Sequence, residues 1–194
     1  KTGFKAGVGY TFNKEYNISE MRNFGVQKSN GEYVVILDEN IKIVDPNWLE
    51  RLLEYAQRGN TGAVGPRILS KNGEVLCTSF WFDEDKNLIN VHKSLPPHMQ
   101  VRANLVANYT IISDICFMIS KKKYKEIGGF QEKKDLISSW VNFFLKLSGS
   151  NSYNVFTPYA KIYYTSPINH YENFQVESNK NTKKKLKKMD KKFF

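Results

Sequence analysis

Tyr33–Val34–Val35–Ile36–Leu37 is a short, unbroken apolar run rich in β-branched residues, and it stops abruptly at Asp38–Glu39–Asn40. A run of this length and composition reads as a strand buried on both faces, the kind that parallel sheets use. Sheets of that type bind ligands beyond the carboxyl ends of their strands. Two acids and an amide at such an end therefore mark a ligand site, with Asp38 and Glu39 as candidates for holding a metal ion or a ribose.

The flanking segments extend this strand into a mixed α/β chain. Asn17 or Ser19 can cap a helix that Gly31 ends, and Asp45–Pro46 opens a second helix with Asp as cap and Pro at its first position. Leu49, Leu52, Leu53 and Ala56 form the apolar face of that second helix, and Gly59 closes it. Gly62 to Leu69 reads as a strand, followed by a hairpin turn at Asn72–Gly73. The stretch from Phe80 to Asn108 is aromatic and offers no clear element, although Pro96–Pro97 marks a loop. Ile115 to Ile119 is a further strand, and Ser120 caps a helix through Ile127 that stops at Gly128–Gly129. Leu136 to Leu147 is a helix with Trp140, Phe143, Phe144 and Leu147 on one face, and Tyr153–Thr157 and Lys161–Tyr164 are two last short strands.

A chain of 194 residues fits one domain. It contains no apolar stretch of the ~18 residues that a spanning helix needs and no secretory signal at Lys1–Tyr10, which reads as a soluble, cytoplasmic protein. Cys77 and Cys116 stand apart between apolar neighbours, the pattern of buried reduced thiols in strands rather than of a disulfide framework or zinc site. The net charge of +10 is mostly a tail: residues 180–192 hold eight lysines and one acid, Asp190, leaving +3 on the rest. A body this close to balance argues against a nucleic-acid-binding face. In the tail, Leu186, Met189 and Phe193 fall at helical spacing. A short amphipathic basic helix over residues 180–194 can pack on the body or meet an anionic membrane surface, making the protein peripheral to the inner face of a membrane.

In order along the chain stand Arg22–Asn23–Phe24–Gly25, Ser29–Asn30–Gly31–Glu32–Tyr33, Asp38–Glu39–Asn40, Pro46–Asn47–Trp48–Leu49–Glu50, Gly62–Ala63–Val64–Gly65–Pro66, Gly128–Gly129–Phe130–Gln131–Glu132 and Thr157–Pro158–Tyr159–Ala160. This succession resembles the family 2 glycosyltransferases of GT-A fold. The resemblance implies an α/β fold, a GT-A-like mixed sheet flanked by helices, lacking here the first nucleotide-binding strands on the N-terminal side. It implies a partial transferase domain over residues 1–178 and a lysine-rich tail over 179–194. It further implies an inverting transfer from a nucleotide-sugar donor to a hydroxyl on a glycan or lipid-linked acceptor, with Mg²⁺ or Mn²⁺ neutralising the leaving diphosphate.

Carried onto this chain, the resemblance makes Arg22, Asn23, Asp38 and Glu39 donor-binding residues and Asp38 a metal ligand. Asn40 stands where the family's D-x-D has its last acid, and an amide brings no negative charge to a hard cation. Ser139–Trp140 falls on the Glu-Asp pair that supplies the family's base, and Tyr164 falls where a histidine often closes the metal site. Asp135 is then a displaced base candidate, or an acid capping the Trp140 helix. His170 is a replacement metal ligand through a shifted loop, or a surface histidine. Asp114, just before a strand, faces an acceptor or serves a turn. These departures leave two further readings open: a degenerate transferase domain that binds carbohydrate or a partner without chemistry, and a basic membrane-surface or nucleic-acid module acting through the tail.

Overall fold

The computed structural model describes residues 9–84, 87–91, 103–132 and 135–167. Strand β3 (Thr61–Leu69) is the centre of the molecule, as its continuous apolar run TGAVGPRIL requires. It lies between β9 (Cys116–Ser120), antiparallel to it, and β10 (Tyr153–Tyr164), parallel to it. The full order is β1 (Tyr33–Leu37), β9, β3, β10 and β2 (Ile41–Ile43), with β4 (Val75–Cys77) pairing β3 and β7 (Ala107–Tyr109) pairing β10. A second, three-stranded sheet orders β6 (Leu88–Asn90), β5 (Ser79–Phe82) and β8 (Ile111–Ile112), and β5 and β6 fall in the stretch that carries no local signal in the sequence.

Strand β1 departs from the doubly buried parallel strand expected of it. It is the end strand of the sheet, pairs antiparallel with β9 from Tyr33↔Ser120 to Leu37↔Cys116, and buries only Val34. Among the described residues nothing pairs with its other edge. The apolar run is consistent with burial on two faces, but at the edge of the sheet fewer neighbours cover those faces, and Leu37 is 46% exposed.

The two strands expected at the C-terminal end are one. β10 runs unbroken from Tyr153 to Tyr164, yet its register against β3 jumps from Thr157↔Pro66 to Lys161↔Arg67. Pro66 has no N–H to give the ladder, so the pairing is interrupted there and Pro158, Tyr159 and Ala160 bulge out. The bulge has the sequence signature of a break between two strands.

Among the described residues four helices flank the sheet. α1 (Ile18–Lys28) is capped by Asn17, whose side chain accepts a hydrogen bond from the Glu20 amide at 3.0 Å, and it ends at Ser29 rather than Gly31. α2 (Trp48–Ala56) starts later than the Asp45–Pro46 pair suggests. Asp45 closes an Asx turn onto the Asn47 amide at 3.0 Å and pairs with Arg51 at 3.4 Å, so it sets up the first turn from outside. The buried face of α2 is Trp48, Leu52, Tyr55 and Ala56 at i, i+4, i+7 and i+8, rotated from the expected leucine stripe; Leu49 and Leu53 are half-buried. α3 (Lys121–Glu126) is capped by Ser120, and α4 (Leu136–Gly149) by Asp135.

The core joins α4 to the sheet through aromatic rings. Phe143 stacks on Phe130 with centroids 4.3 Å apart, and Phe117 sits against both Phe143 and Phe144. Cys77 and Cys116 are free thiols buried in β4 and β9, as expected, and burial pushes the Cys116 thiol well up. No helix among the described residues is long and apolar enough to cross a membrane. Pro96–Pro97, His170 and the tail helix over 180–194 lie outside the described residues.

Candidate functional site

The carboxyl end of β1 delivers Asp38, Glu39 and Asn40 to one end of an open groove of about 680 Å³ between β1 and α1. Its walls include Met21, Arg22, Val26 and every residue from Tyr33 to Glu39. The Asp38 amide donates to the Ile115 carbonyl at 2.9 Å, which ties the turn to the segment entering β9. Within the turn, Asp38 Oδ1 accepts from the Asn40 amide at 2.8 Å and from Asn40 Nδ2 at 2.9 Å. The Tyr164 phenol, at the end of β10, lies close to the side chains of both Asp38 and Asn40. Burial, with the negative charge of Asp38 next, pushes the Tyr164 phenol up to about 12, so it is a neutral hydroxyl at ordinary pH.

Asp114 lies on the other side of the turn, 3% exposed, and its charge reaches Tyr164 as well. Arg22, whose side chain is 10% exposed, projects from α1 and donates from Nη2 to Asp114 Oδ2 at 3.0 Å and to the Asp114 carbonyl at 3.2 Å. The guanidinium also sits 5.2 Å from the Phe130 ring centroid. Its other terminal nitrogen, Nη1, is buried with no hydrogen-bond partner among the described residues. Residues from four distant parts of the chain thus converge: Arg22, the 38–40 turn, Asp114 and Tyr164.

Asn23 has a different setting. Its Nδ2 donates to the Phe130 carbonyl at 3.0 Å and to Glu132 at 2.9 Å, while its Oδ1 accepts from the Tyr124 hydroxyl at 2.7 Å and the Phe130 amide at 3.0 Å. All four hydrogen-bonding positions of the amide are spent on the framework. The neighbouring Gly129 has φ +63°, and a Cβ there would meet Asn23 Oδ1 at 2.6 Å, which accounts for the second glycine of the pair.

The position of the family's base pair is closed. Ser139 is fully buried and accepts from the Ser19 hydroxyl at 2.9 Å, joining α4 to α1. Trp140 is 1% exposed, donates from Nε1 to the Ile112 carbonyl at 2.9 Å, and packs edge-on against Phe80 at 5.0 Å. Asp135 is exposed at the start of α4, where it accepts from the Ser138 amide at 2.9 Å. Against the opposing effect of partial burial, that capping bond and further hydrogen bonds hold its carboxyl below the usual range, which lowers its strength as a base.

The resemblance implies a divalent cation, which the donor set of the turn would have to hold. Hard cations take several oxygens with most of the charge on carboxylates. Here Asp38 Oδ1 already accepts two hydrogen bonds, Asn40 points an N–H at it, and the third member is a phenol. Among the described residues no three His, Cys, Asp or Glu side chains converge as a metal site. The turn as built offers a divalent cation no preformed set of charged ligands: Asp38 Oδ1 is taken up by Asn40, which leaves Asp38 Oδ2 and the exposed Glu39. Sequence reasoning singled out every member of this cluster except as a cluster: nothing local pairs Arg22 with Asp114, which lie 92 residues apart.

The family model described as glycosyl transferase family 2 matches residues 6–128. Among curated proteins, the O-antigen biosynthesis protein RfbC of Myxococcus xanthus is 26% identical over 149 residues, covering 73% of this chain and 11% of its own length. The uncharacterized protein y4gI of Sinorhizobium fredii is 24% identical over 155 residues, covering 78% of this chain and 17% of its own. The chain therefore spans less than a fifth of the curated relatives it matches. Among solved structures, GalNAc-T7 with UDP, GalNAc and Mn²⁺ superimposes with a TM-score of 0.63 at 15% identity, over 87% of this chain and 34% of that one. The mannosyltransferase PcManGT from Pyrobaculum calidifontis, in complex with GDP-Man and Mn²⁺, gives 0.52 at 14% identity, over 79% of this chain and 37% of that one. These likenesses establish the fold, the GT-A mixed sheet flanked by helices.

Proposed function

The chain belongs to glycosyl transferase family 2, and from that premise we propose that it carries the donor diphosphate site of a sugar transfer from a nucleotide sugar to a hydroxyl of a glycan or lipid-linked acceptor, with inversion. The observation that carries this reading is the convergence of Arg22, Asp38, Asn40, Asp114 and Tyr164 at the carboxyl end of β1 beside an open groove. A GT-A neighbour bound to UDP and another bound to GDP-Man support a nucleoside diphosphate as the ligand. In this reading Arg22 faces the diphosphate, Glu39 lies at the groove mouth, and Asp38 both orients Asn40 and Tyr164 and offers its remaining oxygen to a ribose hydroxyl. Asp135, the N-cap of α4, is the base candidate, with its second carboxylate oxygen open to an acceptor's proton while Oδ1 keeps the capping bond. Residues 1–178 are the transferase domain in this account, with 179–194 as its tail.

A second reading, donor binding without turnover, is favoured by one feature: the positions that should supply the base are Ser139 and Trp140, both locked in the core. Titration calorimetry with UDP and UDP-glucose tests the shared premise. The intact chain is expected to bind UDP, and Asp38→Ala to weaken it roughly 10- to 100-fold, the scale of losing hydrogen bonds to a charged group together with the order of the turn. Equal affinity in the variant would remove the acidic turn from the donor site. Release of sugar from UDP-glucose or transfer to an added acceptor then separates the catalytic reading from the binding one.

A further inference from the structure

Metal-dependent sites that face a diphosphate need the cation for two reasons: their carboxylates repel the phosphates, and the leaving group's charge must be met. At this turn both needs are altered. Asn40 removes one negative charge, and Asp38 Oδ1 is engaged by two N–H groups of Asn40. A cation at Asp38 Oδ1 would have to displace those partners, which leaves only the other carboxylate oxygen of Asp38 open to it.

A positive group is already present. The Arg22 side chain is nine-tenths buried, fixed through Nη2 by Asp114, and braced against the Phe130 ring. It lines the same groove as Asp38 and Glu39, and its Nη1 has no partner among the described residues. A buried donor without an acceptor costs about 1–3 kcal/mol, and such orphans in a folded protein call for a reason. A phosphate oxygen answers it, because the guanidinium fork donates well to phosphate and cannot lose its proton.

We propose that this site binds the diphosphate of its nucleotide ligand without a divalent metal, with the orphaned Nη1 of Arg22 donating to the phosphate and Asp114 acting as the positioning residue that holds the guanidinium in place. The inference rests on the donor-site reading above, and it adds where the positive charge comes from. Asp114 makes the pair neutral overall, so Arg22 contributes a directed, charge-assisted hydrogen bond rather than a net field.

The test is UDP binding to the full chain, measured by calorimetry in excess EDTA and again with Mn²⁺. The expected result is the same affinity in both, within about twofold, and a roughly 10- to 100-fold loss in Arg22→Gln with EDTA present. Because Arg22→Gln takes the guanidinium away from the buried Asp114, the Arg22→Gln/Asp114→Asn double variant, which removes both charges of the pair, serves as a second probe; it is expected to fold and to show the same loss. Binding that appears only with Mn²⁺ overturns this inference and leaves the donor-site reading standing. Metal-free binding that survives both variants removes Arg22 from the role. No UDP binding under either condition overturns the inference and the donor-site reading together.

Discussion

Trp140→Ala is expected to lower the unfolding free energy by about 3–5 kcal/mol, the range for removing a large buried aromatic. The indole is 1% exposed and rests edge-on against Phe80 at 5.0 Å. Its Nε1 meets the Ile112 carbonyl of β8 at 2.9 Å, so the truncation opens a cavity and also leaves a buried carbonyl without its donor. A domain of this size has only about 5–15 kcal/mol to lose. Urea denaturation followed by far-UV circular dichroism measures the difference. A loss of that size assigns the position to the framework that joins α4 to the small sheet, where the family places a carboxylate of its base pair. A loss under about 1 kcal/mol would mean that Trp140 is free to move and that the site around it is more open than the packing indicates.

Asp114→Ala is expected to cost a similar amount, about 3–5 kcal/mol, for a different reason. The Arg22 and Asp114 side chains are 10% and 5% exposed, and removing one partner leaves a cation in a poorly solvated place. Adding Arg22→Met to that variant removes the stranded charge while keeping much of the side-chain volume, and is expected to recover a large part of the loss. Urea unfolding of the two single variants and the double variant gives the coupling energy directly. If the three effects simply add, the two residues do not act as a buried pair, and the position of Arg22 beside the acidic turn loses its explanation.

Local signals in the sequence were followed closely where a side chain acts on its own neighbourhood. Asn17 and Ser120 cap the helices they announce, Asn72–Gly73 turns β3 into β4 with Gly73 at φ +83°, and the aromatic face of α4 is the buried face. The acid-ended strand is equally legible, because nothing but a ligand or solvent suits two acids and an amide after five apolar residues. What stayed hidden depends on partners far away in sequence. The neighbour of β1 is β9, more than 70 residues on, and its antiparallel direction leaves no trace in YVVIL. β10 reads as two strands because Pro158 interrupts it, and only the pairing with β3 shows that the chain continues through a bulge there. The site shows the same division. Asp38 and Asn40 are visible as a turn, whereas the Arg22–Asp114 pair and the closure of Tyr164 over that turn exist only once α1, β9 and β10 meet. Asn23, grouped with Arg22 by the resemblance, shows how a motif residue can be consumed by framework: its amide clamps the turn at Phe130.

The central claim is that the turn at the end of β1 is where a nucleoside diphosphate binds, and amide NMR of the isotopically labelled chain titrated with UDP tests it most directly. The account predicts that the largest shifts fall on the amides of Asp38, Glu39 and Asn40 and on Ile115, which shares a hydrogen bond with Asp38. Shifts confined to other parts of the chain, or none at millimolar UDP, would contradict it.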